Sequence, residues 1–293
     1  METTELLKKV RKIEIRTRGI SRQLFSGEYH SVFKGKGMAF SEVREYQFGD
    51  EIRTIDWNVT ARLNHPYVKV FEEERELNVM LLIDMSNSQN FGTQKQFKKD
   101  LIIELSAVLS FSAIQNNDKI GVIFFTDKVE KYIPPKKGKS HILRIIRELL
   151  DFKPENKGTD IGEALKFFNN VIKKRSIVFI LSDFISSDFT EPLKFASSRH
   201  DTIAVKIYDY RELTMPNIGL IQSVDPETGK QIWIDTSNSN VLSEYEKFWE
   251  EEDYKLSQLL VKLNVDLIKL RTDESYIQPL MSFFKRRRSR IAV

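Results

Sequence analysis

Five oxygen-bearing residues stand where they could hold one hard cation: Asp84, Ser86, Ser88, Thr159 and Asp183. The first three alternate in the string Asp84-Met85-Ser86-Asn87-Ser88, directly after an apolar run. Ser182-Asp183 closes a second apolar run, and Gly158-Thr159 leads into a helical pattern. Two carboxylates and three hydroxyls make an all-oxygen donor set, which suits Mg²⁺ or Mn²⁺ rather than a soft or nitrogen-preferring metal. Mg²⁺ is the default. So few anionic groups cannot fill an octahedron without water, which leaves a position for an outside oxygen such as the Asp or Glu of a protein partner. Taken singly, Ser88, Thr159 or Asp160 could cap the helices that follow, and Asp183 could be a plain loop carboxylate. The argument for ligands lies in the conjunction of two strand ends with the Gly-Thr loop.

These residues need elements to position them. From residue 79 onward, short β-rich apolar runs alternate with helical patterns, which predicts an α/β fold with a doubly wound, mostly parallel sheet. The predicted strands are 79–83, 120–125, 129–133, 177–181, 202–207 and 265–270. Leu101, Ile102, Leu105, Val108, Leu109 and Ser112 mark one helix face, and Ile142, Ile145, Ile146 and Leu149 another. Further helices are expected at 161–172 and 192–198, and a long last one with an apolar stripe from Val241 to Leu263. With strand order 3-2-1-4-5-6, the strands at 79–83 and 177–181 become neighbours at the switch point, where such sheets place their ligands. Asp84 and Asp183 then converge.

Two segments depart from the alternation. Residues 220–235 read as a hairpin around the turn Asp225-Pro226-Glu227-Thr228-Gly229. Residues 1–75 are glycine-punctuated and basic, with strand-like pieces at 42–46 and 67–71, and form an expected small β-rich accessory unit ahead of a sheet domain at 76–293. Within 49–62, Asp50, Arg53, Asp56 and Arg62 interleave with Ile52, Ile55 and Trp57. Arg forks pair well with Asp, so this stretch is expected to lock the accessory unit onto the sheet domain.

Composition removes several classes of function. There is no cysteine, hence no disulfide, thiolate site or cysteine nucleophile, and the four histidines lack the i, i+4 spacing of a zinc helix. The N-terminal stretch is interrupted by charges and the best apolar runs, VMLLI and IVFIL, cannot span a bilayer, so a cytoplasmic protein without a transmembrane segment is expected. The net charge is +4, with Lys285, Arg286, Arg287, Arg288 and Arg290 crowded into a basic C-terminal tail that reads as solvated.

Two alternative functions can be weighed. A Mg²⁺-dependent phosphohydrolase with Asp84 as nucleophile would need an acid or base and cationic groups beside it, but serines occupy those positions and no Lys or His stands in either strand-end loop. A nucleic-acid binder would use the basic termini, yet aromatic and basic interleaving is confined to Phe283-Phe284 beside the Arg run. Gly138-Lys139-Ser140 lacks the upstream glycine of a phosphate loop, that position being Ile133.

The string Asp84-x-Ser86-x-Ser88 with Thr159 and Asp183 resembles the metal-ion-dependent adhesion site of von Willebrand factor A domains, in which a carboxylate from the bound partner completes the metal. The upstream motifs Gly35-Lys36-Gly37-Met38-Ala39-Phe40, Val43-Arg44-Glu45-Tyr46, Gly49-Asp50-Glu51-Ile52-Arg53, Ile55-Asp56-Trp57 and Ala61-Arg62 are similar to the signature of the bacterial domain of unknown function 58 family, as is the turn at 225–229. Ala39 departs from it, since an acidic residue is more usual there. The resemblance implies a von Willebrand factor A-like domain, a non-enzymatic, cation-dependent protein-binding role, and a MoxR-type AAA+ ATPase as partner in the maturation or assembly of other proteins.

Overall fold

The computed structural model describes residues 38–73 and 77–291, together with Val10, Arg11, Ile13, Glu14, Thr17 and Ile20. The chain packs as two compact units. One comprises Phe33–Leu77; the other comprises Asn78–Val293 with the described N-terminal positions. The described N-terminal positions thus fall with the larger unit; the rest of residues 1–37, part of the expected accessory unit, lie outside the described residues.

In the smaller unit, β1 (Met38–Glu45) and β2 (Tyr67–Glu73) pair antiparallel, with a register shift between Phe40 and Glu42. Between them lies a helix that the β-forming residues Trp57, Val59 and Thr60 disguise, α1 (Trp57–Leu63). Asp56 starts it by accepting hydrogen bonds from the backbone of Asn58 and Val59, and Asn64 ends it in the left-handed conformation. Arg44 forks onto both Asp50 oxygens at 2.7 and 2.8 Å, and Lys69 pairs with Asp56 at 3.3 Å. Asp50 and Asp56, expected to bind across to the sheet domain, therefore have partners inside their own unit.

The larger unit is built in chain order from β3 (Asn78–Asp84), α2 (Lys98–Gln115), β4 (Lys119–Phe125), β5 (Val129–Lys136), α3 (Lys139–Asp151), α4 (Ile161–Val171), β6 (Ile177–Ser182), α5 (Thr190–Arg199) and β7 (Asp201–Tyr208). There follow α6 (Tyr210–Leu213), the hairpin β8 (Leu220–Val224) and β9 (Gln231–Asp235), α7 (Ser239–Lys262), β10 (Asp266–Arg271) and α8 (Ile277–Ile291). Six strands form the central sheet in the order β10-β7-β6-β3-β4-β5, parallel except for β5, which folds back antiparallel on β4. This is the expected strand order, and β3 and β6 are neighbours in register from Val79 opposite Ile177 to Ile83 opposite Leu181.

Both faces of the sheet are covered, which is why β3, β4, β6 and β7 read as continuous apolar runs rather than alternating ones. On one face Met80, Leu82, Ile123, Phe125, Val178, Ile180 and Ala204 pack against Ile161, Leu165 and Phe168 of α4, Leu193 and Ala196 of α5, and Leu260 of α7. Strand alternation turns Leu81, Ile83, Val122 and Phe124 to the other face. There α2 is buried almost all round, more than its one apolar face predicts, and Tyr276 donates a 2.9 Å hydrogen bond to its Glu104.

Gly121 in β4 lies so close to β5 that the ladder slips between Ile120 and Val122, opposite Pro134-Pro135. Gly138, with φ of 102°, opens α3, and Lys139 pairs with Glu14 at 2.6 Å, so Gly138-Lys139-Ser140 is a helix entry.

The basic C-terminus is not a loose tail. It forms α8, whose Leu280, Phe283 and Phe284 are buried, and Arg287 reaches Asp201 and Asp266 at the starts of β7 and β10.

His200, after α5, is buried against the Phe168 ring at 4.7 Å, and neither ring nitrogen has a hydrogen-bond partner among the described residues. Burial, helped by Arg199 and Arg175, lowers its pKa to about 4. The unfolded chain takes up this proton near the ordinary histidine value of 6.5 and the folded one only near 4, so stability is full above pH 6.5 and falls as pH drops through that window. Urea midpoints measured from pH 7 to 4.5 should decline, and His200→Phe should flatten that decline. An unchanged slope would show that other groups cause it.

Candidate metal centre

β3 ends at Asp84 and β6 at Ser182, so paired strands deliver Asp84 and Asp183 to one end of the sheet. After Asp84 the chain turns through a short 3-10 helix, Asn87–Asn90, which brings Ser88 and Gln89 back over the strand ends. Asp84 Oδ1 accepts from the backbone of Ser86 at 2.9 Å, and Oδ2 accepts from Ser182 Oγ at 2.6 Å and Gln89 Nε2 at 3.1 Å. Asp183 Oδ2 accepts from Ser88 Oγ at 2.8 Å and Gln89 Nε2 at 3.2 Å, and the Ser86 and Ser88 hydroxyls lie 3.0 Å apart. Asp84, Ser86, Ser88 and Asp183 are all buried, the two carboxylates at 0 and 2% exposure.

Immediately after Asp183, Phe184 holds φ at 63°, with its N–H on Ser182 Oγ at 3.1 Å. A non-glycine residue in this region costs about 1–3 kcal/mol, and such strain concentrates at functional sites. The turn it makes lets the backbone of Ile185 donate to Asp183 Oδ1 at 3.2 Å.

Thr159 is placed differently from the other four. Its loop adjoins the Ser86-to-Ser88 loop, with Asn87 N donating to Lys157 O at 3.1 Å. Its hydroxyl, however, donates at 2.7 Å to Oε1 of Glu227, from the β8–β9 turn. Burial raises the pKa of Glu227 against that hydrogen bond, and the charge of Asp183 adds to the rise.

Several participants carry no sequence signal of their own. Gln89 and Ser182 tie the two carboxylates together. Lys98, from the first turn of α2, is fully buried and contacts Asp183 Oδ2 at 2.8 Å and Glu212 of α6. Burial alone would lower its pKa, but Asp183 and Glu212 outweigh that and raise it. Glu212 is held in turn by the backbone of Asp209 at 2.8 Å. A cationic group thus does reach the site, from a helix rather than from either strand-end loop.

The donor set fits a hard cation. Among the described residues no three Asp, Glu, His or Cys side chains gather as a metal group, so the set rests on two carboxylates completed by neutral oxygens. Burial, and then the charge of Asp183, push the Asp84 carboxyl up to about 7. Positive charge is therefore short around Asp84 even with Lys98 beside Asp183. Gln89 Oε1, buried at the same place, has no hydrogen-bond partner among the described residues.

Fold and site together define a mixed α/β protein with a carboxylate and hydroxyl cluster at the parallel strand ends. The chain belongs to the family described as protein of unknown function DUF58, whose model matches residues 42–254. It is similar to the uncharacterized protein Rv1480 of Mycobacterium tuberculosis, 25% identical across 98% of this chain and 92% of the relative. It also matches uncharacterized protein YeaD of Bacillus subtilis, 28% identical over 37% of this chain and 25% of that protein. Among solved structures it is similar to the conserved hypothetical protein BatB from Bacteroides thetaiotaomicron, with TM-score 0.46 and 18% identity over 74% of this chain and 98% of that one. Another is proximal thread matrix protein 1 from the mussel byssus, described with a zinc-occupied MIDAS motif, with TM-score 0.37 and 22% identity over 45% of this chain and 38% of that one. No helix among the described residues is long and apolar enough to cross a membrane.

Proposed function

We propose that this protein is a divalent-cation-dependent protein-binding module of the von Willebrand factor A type. Asp84, Ser86, Ser88, Thr159 and Asp183 would hold Mg²⁺ or Mn²⁺, and the cation would supply a Lewis-acidic position for a carboxylate of the bound protein. The observation that carries this reading is the buried junction of Asp84 and Asp183 through Ser88, Gln89 and Ser182 at the ends of β3 and β6. The protein's own residues orient the donors: Ser182 and the Ser86 backbone fix Asp84, while Ser88, Lys98 and the Ile185 backbone fix Asp183.

The role proposed is binding without catalysis. Asp84 already accepts three hydrogen bonds, and Lys98 is engaged by two carboxylates, so neither stands as an activated nucleophile or a cation awaiting phosphate. The family resemblance supports a role alongside a MoxR-type AAA+ ATPase.

Titration with Mn²⁺, followed by calorimetry and by the electron spin resonance of free Mn²⁺, tests the site. One saturable site is expected, lost or weakened at least about 100-fold in Asp84→Ala and Asp183→Ala protein of native circular dichroism, since each variant deletes an anionic ligand. Equal binding by wild type and both variants would rule out this assignment. Uptake should also strengthen as pH rises toward about 7, because Asp84 must give up its proton first.

A further inference from the structure

The turn between β8 and β9 does more than reverse the chain. Asp225 holds it as a compact loop: its carboxylate accepts from the backbone of Glu227 at 2.9 Å and from Thr228 Oγ1 at 2.6 Å, and its carbonyl from the backbone of Gly229, in the left-handed region at φ 72°, at 2.9 Å. Around the tip Asp225, Pro226, Thr228 and Gly229 are exposed, while Glu227 alone among these five is half-buried. Its carboxylate lies on the Thr159 hydroxyl at 2.7 Å, and Asn87 Nδ2 pins the neighbouring Pro226 carbonyl at 2.7 Å. Asn87 lies between Ser86 and Ser88. The hairpin tip therefore bonds both loops that carry the hydroxyl donors and puts a carboxylate on the side of the site nearest Thr159.

The rest of the hairpin is lightly held. Leu220 and Trp233 are each 65% exposed, Ile232 55% and Val224 52%, and the two strands form a sheet of their own. Isolated two-stranded hairpins are marginally stable, so the contacts at the tip are a large share of what fixes this one in place.

We propose that Glu227, which is not gathered with Asp84 and Asp183 in this structure, closes from Thr159 onto a bound cation as this chain's own occupant of the carboxylate position, delivered in cis by the β8–β9 hairpin. The inference rests on the cation-site reading above. An acidic side chain of a protein partner then competes with Glu227, and engagement of the partner requires the hairpin tip to leave Thr159 and Asn87. The isolated protein is thereby kept from binding stray carboxylates, and the segment that moves on binding is residues 220–235.

Mn²⁺ alone, read by calorimetry and by water-proton relaxation, tests this. Glu227→Ala and Glu227→Gln, checked by circular dichroism, should weaken Mn²⁺ binding about tenfold, as loss of a group buttressing a metal site commonly does. They should also raise the relaxation enhancement per bound Mn²⁺ by about one coordinated water, the group that replaces a lost oxygen ligand. Millimolar acetate should then lower the enhancement in Glu227→Ala protein and leave wild type unchanged. Asn87→Ala, which loosens the tip and keeps the carboxylate, should fall between the two. If Asp84→Ala abolishes binding while both Glu227 variants match wild type in affinity, hydration and acetate response, the cis occupant is refuted and the cation site stands. If wild type takes up no Mn²⁺ at all, both are refuted.

Discussion

Lys98→Ala should destabilise the larger unit by about 3–5 kcal/mol, the usual cost of removing one partner from a buried ion pair. The ammonium is fully buried between Asp183 and Glu212, so its removal leaves the Asp183 carboxylate desolvated, with Asp84 close by. Urea unfolding at pH 7.5 in the presence of a chelator measures the loss. Repeating it with saturating Mn²⁺ should recover part of the stability, because a cation beside Asp183 replaces some of the missing charge. Lys98→Met, which keeps the apolar stem, should lose less than alanine. A loss below about 1 kcal/mol would mean that the pair is no stronger than a surface bridge and that water reaches Asp183.

Gly121→Ala should be nearly as damaging, at about 3 kcal/mol, the upper end of what overpacking costs. A Cβ at residue 121 would stand 2.7 Å from Met80 Sδ, 2.8 Å from Pro135 N and 2.9 Å from Ile133 O. The sulfur can swing away, but the other two atoms belong to the β5 backbone, and moving them breaks the β4–β5 ladder. Thermal unfolding monitored by circular dichroism should show the drop. Met80→Ala in the same background should not rescue it, since the backbone clashes remain. Rescue would place the strain on the side chain instead.

The parts of this protein that could be read from its sequence are those in which one short stretch carries its own instruction. Val79 to Ile83 and Ile177 to Leu181 are apolar without interruption because both faces of the sheet are covered, so strands and their parallel arrangement follow directly. The carboxylates after them follow from strand order. Helix α1 was hidden because Trp57, Val59 and Thr60 favour strands, and the decisive signal was the single cap at Asp56. In α8 the spacing of Leu280, Phe283 and Phe284 was helical, but the arginines that follow suggested solvent. Arg287 is instead anchored by carboxylates at the starts of β7 and β10. Lys98 and Glu227 could not have been found at all, since their partners Asp183 and Thr159 lie 85 and 68 residues away and only the assembled fold brings them near.

The slip in the ladder at Pro134-Pro135 has a bearing on what happens outside the molecule. β5 is the outer strand on its side of the sheet, and successive amides in a strand point to opposite edges. Two adjacent prolines therefore remove a donor from each direction, one lost to β4 and one to anything approaching from solvent. An open strand edge is the usual template for unwanted chain-to-chain pairing, and proline at the rim is a common way of blunting it. Here the residues that force Gly121 to stay small also interrupt that template, so replacing both prolines with strand formers should bring aggregation at high concentration along with a more regular β4–β5 pair.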